Sequence, residues 1–110
     1  QFEAWRRRQR QPAAPASDGA AAAGWGVFQS VGCGLCHTIR GTAARGNLAP
    51  DLTHLGSRRT IGALTLPNTD HDLAAWITDP QSSKPGNRMP SSLLSDDDRW
   101  NLVAFLKELR

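Results

Sequence analysis

Apolar side chains recur at helical spacing in three stretches of the chain, with glycine- and proline-rich segments between them. The clearest is LSDDDRWNLVAFLKELR, where Leu102, Phe105, Leu106 and Leu109 fall at i, i+3, i+4 and i+7 and form one stripe. Ser95 precedes this helix as an N-cap, and Asp96, Asp97 and Asp98 fill its first turn, where the helix dipole favours negative charge. Three acidic residues also raise the idea of a metal site, but consecutive positions point around a helix rather than to one face. A second helix is expected from Ala20, with Trp25, Phe28 and Val31 spaced three apart. Gly24 and Gly26 weaken it, although a glycine also lets another helix cross closely. A third, shorter helix covers Asp70 to Thr78 (DHDLAAWIT) and is ended by Pro80.

Residues 11–23, QPAAPASDGAAAA, carry almost no large apolar side chain and read as a linker, semi-extended at its prolines. RGTAARGNLAPDL and DPQSSKPGNRMPSS read as long loops. No alternating strand pattern and no internal repeat is visible. The expected fold class is all-α, a small helical domain with long loops, and such loops usually wrap around something.

A chain of 110 residues allows one domain and a modest core, which a bound apolar cofactor would enlarge. Only 39% of residues are hydrophobic, and no apolar run approaches the roughly 18 residues that cross a bilayer. There is no initiator Met, and Phe2 and Trp5 run directly into Arg6, Arg7, Arg8 and Arg10, so a processed chain or a piece of a longer one is expected. The net charge of +3 resides entirely in the first sixteen residues, which hold four of the thirteen Lys and Arg and one of the ten Asp and Glu. The remainder is balanced at nine of each. A nucleic-acid binder carries its basic excess on the folded part, so that class is excluded, and a solvated or membrane-proximal tail is the expected use of the arginines.

The candidate chemistry lies in CGLCHTIRGT, residues 33–42, which holds both cysteines of the chain. Cys-x-x-Cys serves redox disulfides, zinc sites and haem attachment. A thioredoxin-like site needs a preceding strand in a βαβ unit, and none is expected here. A structural zinc needs four ligands; Cys33, Cys36 and His37 give three, leaving only His54 or His71 as a fourth. Cys-x-x-Cys-His is itself the haem-attachment signature. On a helical turn Cys33 and Cys36 share a face, so both sulfurs can reach the two vinyl groups of one porphyrin edge. The single methionine, Met89, lies in a loop between Pro85 and Pro90, a poor core position and a good one for holding a thioether against iron. Otherwise it is a gap-filling core residue. His54 and His71 compete with it as iron ligands; failing that, they are surface or propionate-side histidines. An open distal position would instead indicate a gas sensor or a peroxidase-like enzyme.

CGLCHTIRGT, LAPDLTHLGSR, LAAWITDPQSSKPGNRMP and LVAFLKEL follow one another in an order that resembles a class I cytochrome c over residues 19–110. The resemblance implies a cytochrome c fold around one covalent haem c, with Cys33 and Cys36 attached and His37 and Met89 on the iron. It implies that the Pro50 carbonyl orients the His37 imidazole, that Leu52 and Trp76 pack on the haem, and that Arg58 meets a propionate, with Arg59 one place away. Gly24, Phe28, Leu102 and Phe105 match the crossing of the terminal helices. One departure is that four residues separate Phe28 from Cys33, one more than in the mitochondrial proteins.

A narrower resemblance joins QFEAWRRRQRQPAAP to the end of the copper domain in subunit II of haem-copper oxidases, where a Phe-x-x-Trp segment closes the last strand region. The loops are similar to the cytochrome c domain fused there in caa-type oxidases. This implies residues 1–18 as the end of a copper domain plus linker and residues 19–110 as the cytochrome domain. It further implies one-electron transfer from a respiratory donor, such as a soluble cytochrome c, to the dinuclear copper centre of the parent oxidase. The isolated domain would then be no enzyme, and it would sit on the periplasmic or extracytoplasmic face of a bacterial membrane, tethered through its parent. The alternative is a free or otherwise fused periplasmic monohaem carrier.

Overall fold

Two helices from opposite ends of the sequence form the centre of the molecule in the computed structural model, which describes residues 1–110. Helix α2 (Ala20–Val31) crosses α5 (Asp96–Lys107) at Gly24. A Cβ at Gly24 would lie 2.7 Å from Phe105 Cβ and nearer still to the Asn101 carbonyl oxygen, so the crossing needs a glycine. Trp25, Phe28 and Phe105 close around the crossing, with ring centroids 5.4 to 5.8 Å apart. The buried face of α2 is Ala21, Gly24, Val27 and Phe28. The expected stripe is therefore rotated: Trp25 is only half-buried and Val31 is 41% exposed. The close approach places the smallest residues at the contact, and a stripe read from large side chains misses them.

The cap signals are realised. Ser95 accepts the Asp98 N–H at 3.1 Å, and Thr69 accepts the Asp72 N–H at 3.0 Å to start α3 (Asp70–Thr78). Arg99 reaches from α5 to Thr78 at the end of α3 (3.0 Å) while pairing with Asp96 (2.7 Å). Leu102, Val103, Phe105, Leu106 and Leu109 enter one core with Phe28, Ile39, Leu55, Leu73 and Ile77. Pro80 ends α3, as expected, but also opens a further short helix, α4 (Pro80–Ser83), from the first-turn position that tolerates proline.

Three features depart from the sequence reading. Strands β1 (Thr60–Ile61) and β2 (Leu66–Pro67) form an antiparallel pair, with Thr60 opposite Pro67, and are too short to show alternation. Their turn runs through Gly62, Ala63 and Leu64, all left-handed at φ 60°, 53° and 73°. The second departure is α1 (Phe2–Arg10), a helix with no buried residue where the resemblance implies the close of a strand region. Ala, Arg, Gln and Glu, all good helix formers, make up most of it. The third is the Ala/Pro segment, which is bound rather than free. The Ala13 N–H donates to the Arg40 carbonyl at 2.8 Å, Ala13 and Ala16 pack on the core, and Ser17 N–H donates to Glu108 at 3.1 Å. No helix is long and apolar enough to cross a membrane.

Candidate functional site

The end of α2 delivers the cysteines. Gly32, left-handed at φ 89°, stops the helix and shares its N–H between the Gln29 and Phe28 carbonyls. A 3-10 turn, Cys33–Leu35, follows at once. Residues three apart eclipse one another in such a turn, so Cys33 and Cys36 fall on one side more closely than in an α-helix. The N–H groups of Cys36 and His37 both donate to the Cys33 carbonyl, at 3.2 and 3.0 Å. Both thiols are free.

The electrostatics weigh against a redox disulfide. Burial pushes the Cys33 thiol up, a backbone hydrogen bond opposes this without cancelling it, and Cys36 adds to the rise. A nucleophilic Cys-x-x-Cys thiol needs the opposite, a lowered value. Nor do any three His, Cys, Asp or Glu side chains gather into a metal-holding group, whereas a structural zinc needs four.

His37 Nδ1 lies 2.7 Å from the Pro50 carbonyl oxygen. A carbonyl only accepts, so Nδ1 carries the proton and Nε2 keeps its lone pair, the tautomer of a metal-ligating histidine. Around this turn, residues 45–50 fold back. Gly46 N–H donates to the Gly34 carbonyl (3.0 Å), Thr38 Oγ1 donates to the Gly46 carbonyl (2.8 Å), and the Leu48 and Ala49 N–H groups share the Cys36 carbonyl at 3.1 and 3.0 Å. A Cβ at Gly46 would sit 2.5 Å from Cys36 N, so glycine is required here too. Gly46 and Thr38 were not legible as site residues; the only signal was one glycine in a polar loop.

Asp51 organises the segment after Pro50. Its Oδ1 accepts the Thr53 N–H (2.8 Å) and hydroxyl, its Oδ2 accepts Arg40 Nε (3.2 Å), and its carbonyl accepts Arg58 Nη2 (2.6 Å). Burial raises the Asp51 carboxyl, but the Thr53 and Arg40 bonds together outweigh it and hold the group below its ordinary 3.8. A lowered folded-state value means these bonds stabilise at pH above the ordinary value and are lost as pH falls through the folded one. Asp51→Asn is therefore expected to cost stability at neutral pH and to flatten the loss of stability below about pH 4, read by acid titration of wild type and variant.

Arg58 thus braces the loop beside His37, although it is exposed, as is Arg59. Leu52 donates its N–H to the Thr38 carbonyl (2.8 Å) and packs half-buried on the core. Trp76, also half-buried, lies 3.0 Å from where a Gly62 Cβ would stand. Met89 is half-buried, and its N–H donates to Asn87 Oδ1 at 2.8 Å. Its loop is pinned by side chains as well as prolines: Gln81 donates to the Asn87 carbonyl (2.6 Å) and accepts Gly86 N–H (2.9 Å), and Asn87 donates to the Lys84 carbonyl (2.7 Å).

The other two histidines separate. His71 is exposed on the first turn of α3. His54 is only 8% exposed, and its Nε2 meets the Gln9 and Gln11 carbonyls at 3.1 and 3.0 Å. It is therefore a buried anchor for the incoming chain, neither a surface histidine nor one with a free Nε2.

Paired thiols, a histidine with Nε2 free and a thioether in a pinned loop fit a covalently attached haem, the donor set of a c-type haem carrier. The model of the family described as cytochrome c matches residues 21–110. The chain belongs to the cytochrome c family and has its helical fold; a cytochrome c domain is an electron carrier. Among similar curated proteins, cytochrome c oxidase subunit 2 of Alkalihalophilus pseudofirmus is 34% identical over 111 residues, and that of Bacillus subtilis is 31% identical over 117 residues. Subunit 2 of Bacillus sp. (strain PS3) is 29% identical over 115 residues. Each match covers all of this chain and 32% of the relative, so the chain spans about a third of their length.

Proposed function

We propose that this chain is the electron-relay domain of a haem-copper oxidase subunit, carrying one haem c and passing electrons from a respiratory donor to the parent's dinuclear copper centre. The observation that carries the reading is the pairing of Cys33 and Cys36 on a 3-10 turn beside a His37 whose Nδ1–H is committed to Pro50. Similarity to oxidase subunit 2 across the whole chain supports the oxidase setting. It also supports a membrane-associated parent; on this reading the domain sits on the extracytoplasmic side.

Haem c supplies the one-electron couple between ferric and ferrous iron. The chain's own residues have distinct tasks. Cys33 and Cys36 would anchor the porphyrin through thioethers, and His37 would offer Nε2 to the metal. Pro50 fixes the His37 ring plane and keeps the imidazole electron-rich. Met89 would offer a thioether to the iron, a ligand that favours the ferrous state. Leu52 and Trp76 would exclude water from the haem, and Arg58, which holds the loop after Pro50 in register, would balance propionate charge. No substrate bond changes in this domain, so it is a carrier inside an enzyme.

Met89→His tests the ligand set. The wild-type ferric protein is expected to show the weak far-red band of a sulfur–iron bond. The variant is expected to lose the band and to drop in potential on the order of 0.2 V, within the roughly 0.8 V that axial ligands control. An unchanged spectrum and potential would remove Met89 as ligand.

A further inference from the structure

The segment that reads as a spacer carries contacts that a spacer does not need. The carbonyls of Gln9 and Arg10 are among the last four of α1, which have no partner within the helix and form the negative end of its dipole. Arg40, from the domain, takes both: Nη2 donates to the Gln9 carbonyl (2.6 Å) and Nη1 to the Arg10 carbonyl (3.0 Å). His54 Nε2 also meets the Gln9 and Gln11 carbonyls, at 3.1 and 3.0 Å. Ala13 returns a bond to the Arg40 backbone, and Ala13 and Ala16 lie on the core. Pro12 Cβ would stand 2.9 Å from a Cβ on Gly41, so the chain here runs close against the backbone of the domain.

We propose that Arg40 and His54 form a clasp that holds residues 9–13 as a rigid strap and sets α1 at a fixed orientation to the loop bearing Pro50. Arg40 suits the task because its fork is planar and offers several donors in fixed directions. Two of its nitrogens hold the incoming chain, while its Nε holds Asp51, the residue next to Pro50. The consequence for electron relay rests on the function proposed above: a strap presents the haem domain to its acceptor in one pose, whereas a free linker only raises local concentration. The clasp itself does not rest on that reading.

The test uses the full haem-loaded chain in its ferrous form. Backbone order parameters of Ala13 and Ala16 are expected near about 0.85, the rigid-backbone value, against less than about 0.6 for a free linker. Arg40→Gln is expected to speed amide exchange at Ala13 by about ten- to a hundredfold, the loss of charge-assisted bonds, and to open the Arg10–Gln11 peptide to trypsin. Exchange at Leu102 and Phe105 should stay unchanged, which a merely structural loss would not allow. Arg40→Lys should not restore protection, because one ammonium cannot reproduce the fork. Mobile order parameters in the wild type would overturn the clasp, as would Ala13 exchange indifferent to Arg40→Gln or core amides accelerating in step. A rigid strap in a chain that passes no electrons to copper would sink the relay and leave the clasp; a mobile strap in a competent relay would do the reverse.

Discussion

Acid–acetone extraction of the haem-loaded protein is expected to leave the haem on the polypeptide, with an intact mass above the 11.9 kDa chain by one haem. Replacing both Cys33 and Cys36 with Ala should release all of it under the same treatment. The reasoning starts from the turn. Gly32 halts α2, and the 3-10 turn that follows sets Cys33 and Cys36 three residues apart at its two ends, on one side of the chain. Each single variant should keep one thioether and lose roughly 2–4 kcal/mol of holoprotein stability, by analogy with losing a covalent cross-link. Haem that extracts from the wild type would refute covalent attachment. So would full retention in the double variant.

Gly24→Val should lower stability by about 3 kcal/mol, at the upper end of overpacking costs, because the added carbons meet helix backbone that cannot rotate away. That corresponds to a fall in melting temperature on the order of 15 °C for a domain of this size. Gly26 is the internal control. It lies on the same helix with nothing within 4 Å of a Cβ, so Gly26→Ala should stabilise by up to about 1 kcal/mol through helix propensity. Thermal unfolding of the two variants against wild type measures both. Equal and small effects would mean that α2 and α5 do not approach as closely as described.

The helices whose ends carry chemistry were the legible ones. Ser95 with its three aspartates and the block from Asp70 to Pro80 mark their own boundaries, because caps and proline act within one turn. α2 was legible as a helix but not in its facing, since Gly24 and Ala21 contribute contact without side-chain bulk. The Cys33–His37 motif could be read because its spacing is the chemistry. The clasp could not. Arg40 and His54 address backbone carbonyls, and no side-chain pattern records where a carbonyl points. The strands were hidden by length, two residues each being shorter than one period of alternation plus a check. Thr38, Asn87 and Gln81 escaped for a similar reason: each is an ordinary polar residue until the loop it ties is seen closed.

The crossing of α2 with α5 also orders events during synthesis. Gly24 and Phe28 have partners on α5, so the apolar face of α2 stays unsatisfied until α5 has been made. Non-local contacts of this kind are the slow ones in folding, because the intervening loop must be closed before they repay it. The cysteine turn begins two residues after α2 ends and shares this delay. During that interval both thiols belong to an open chain. The closing of α5 onto Gly24 then ends that interval and fixes the turn that carries Cys33 and Cys36.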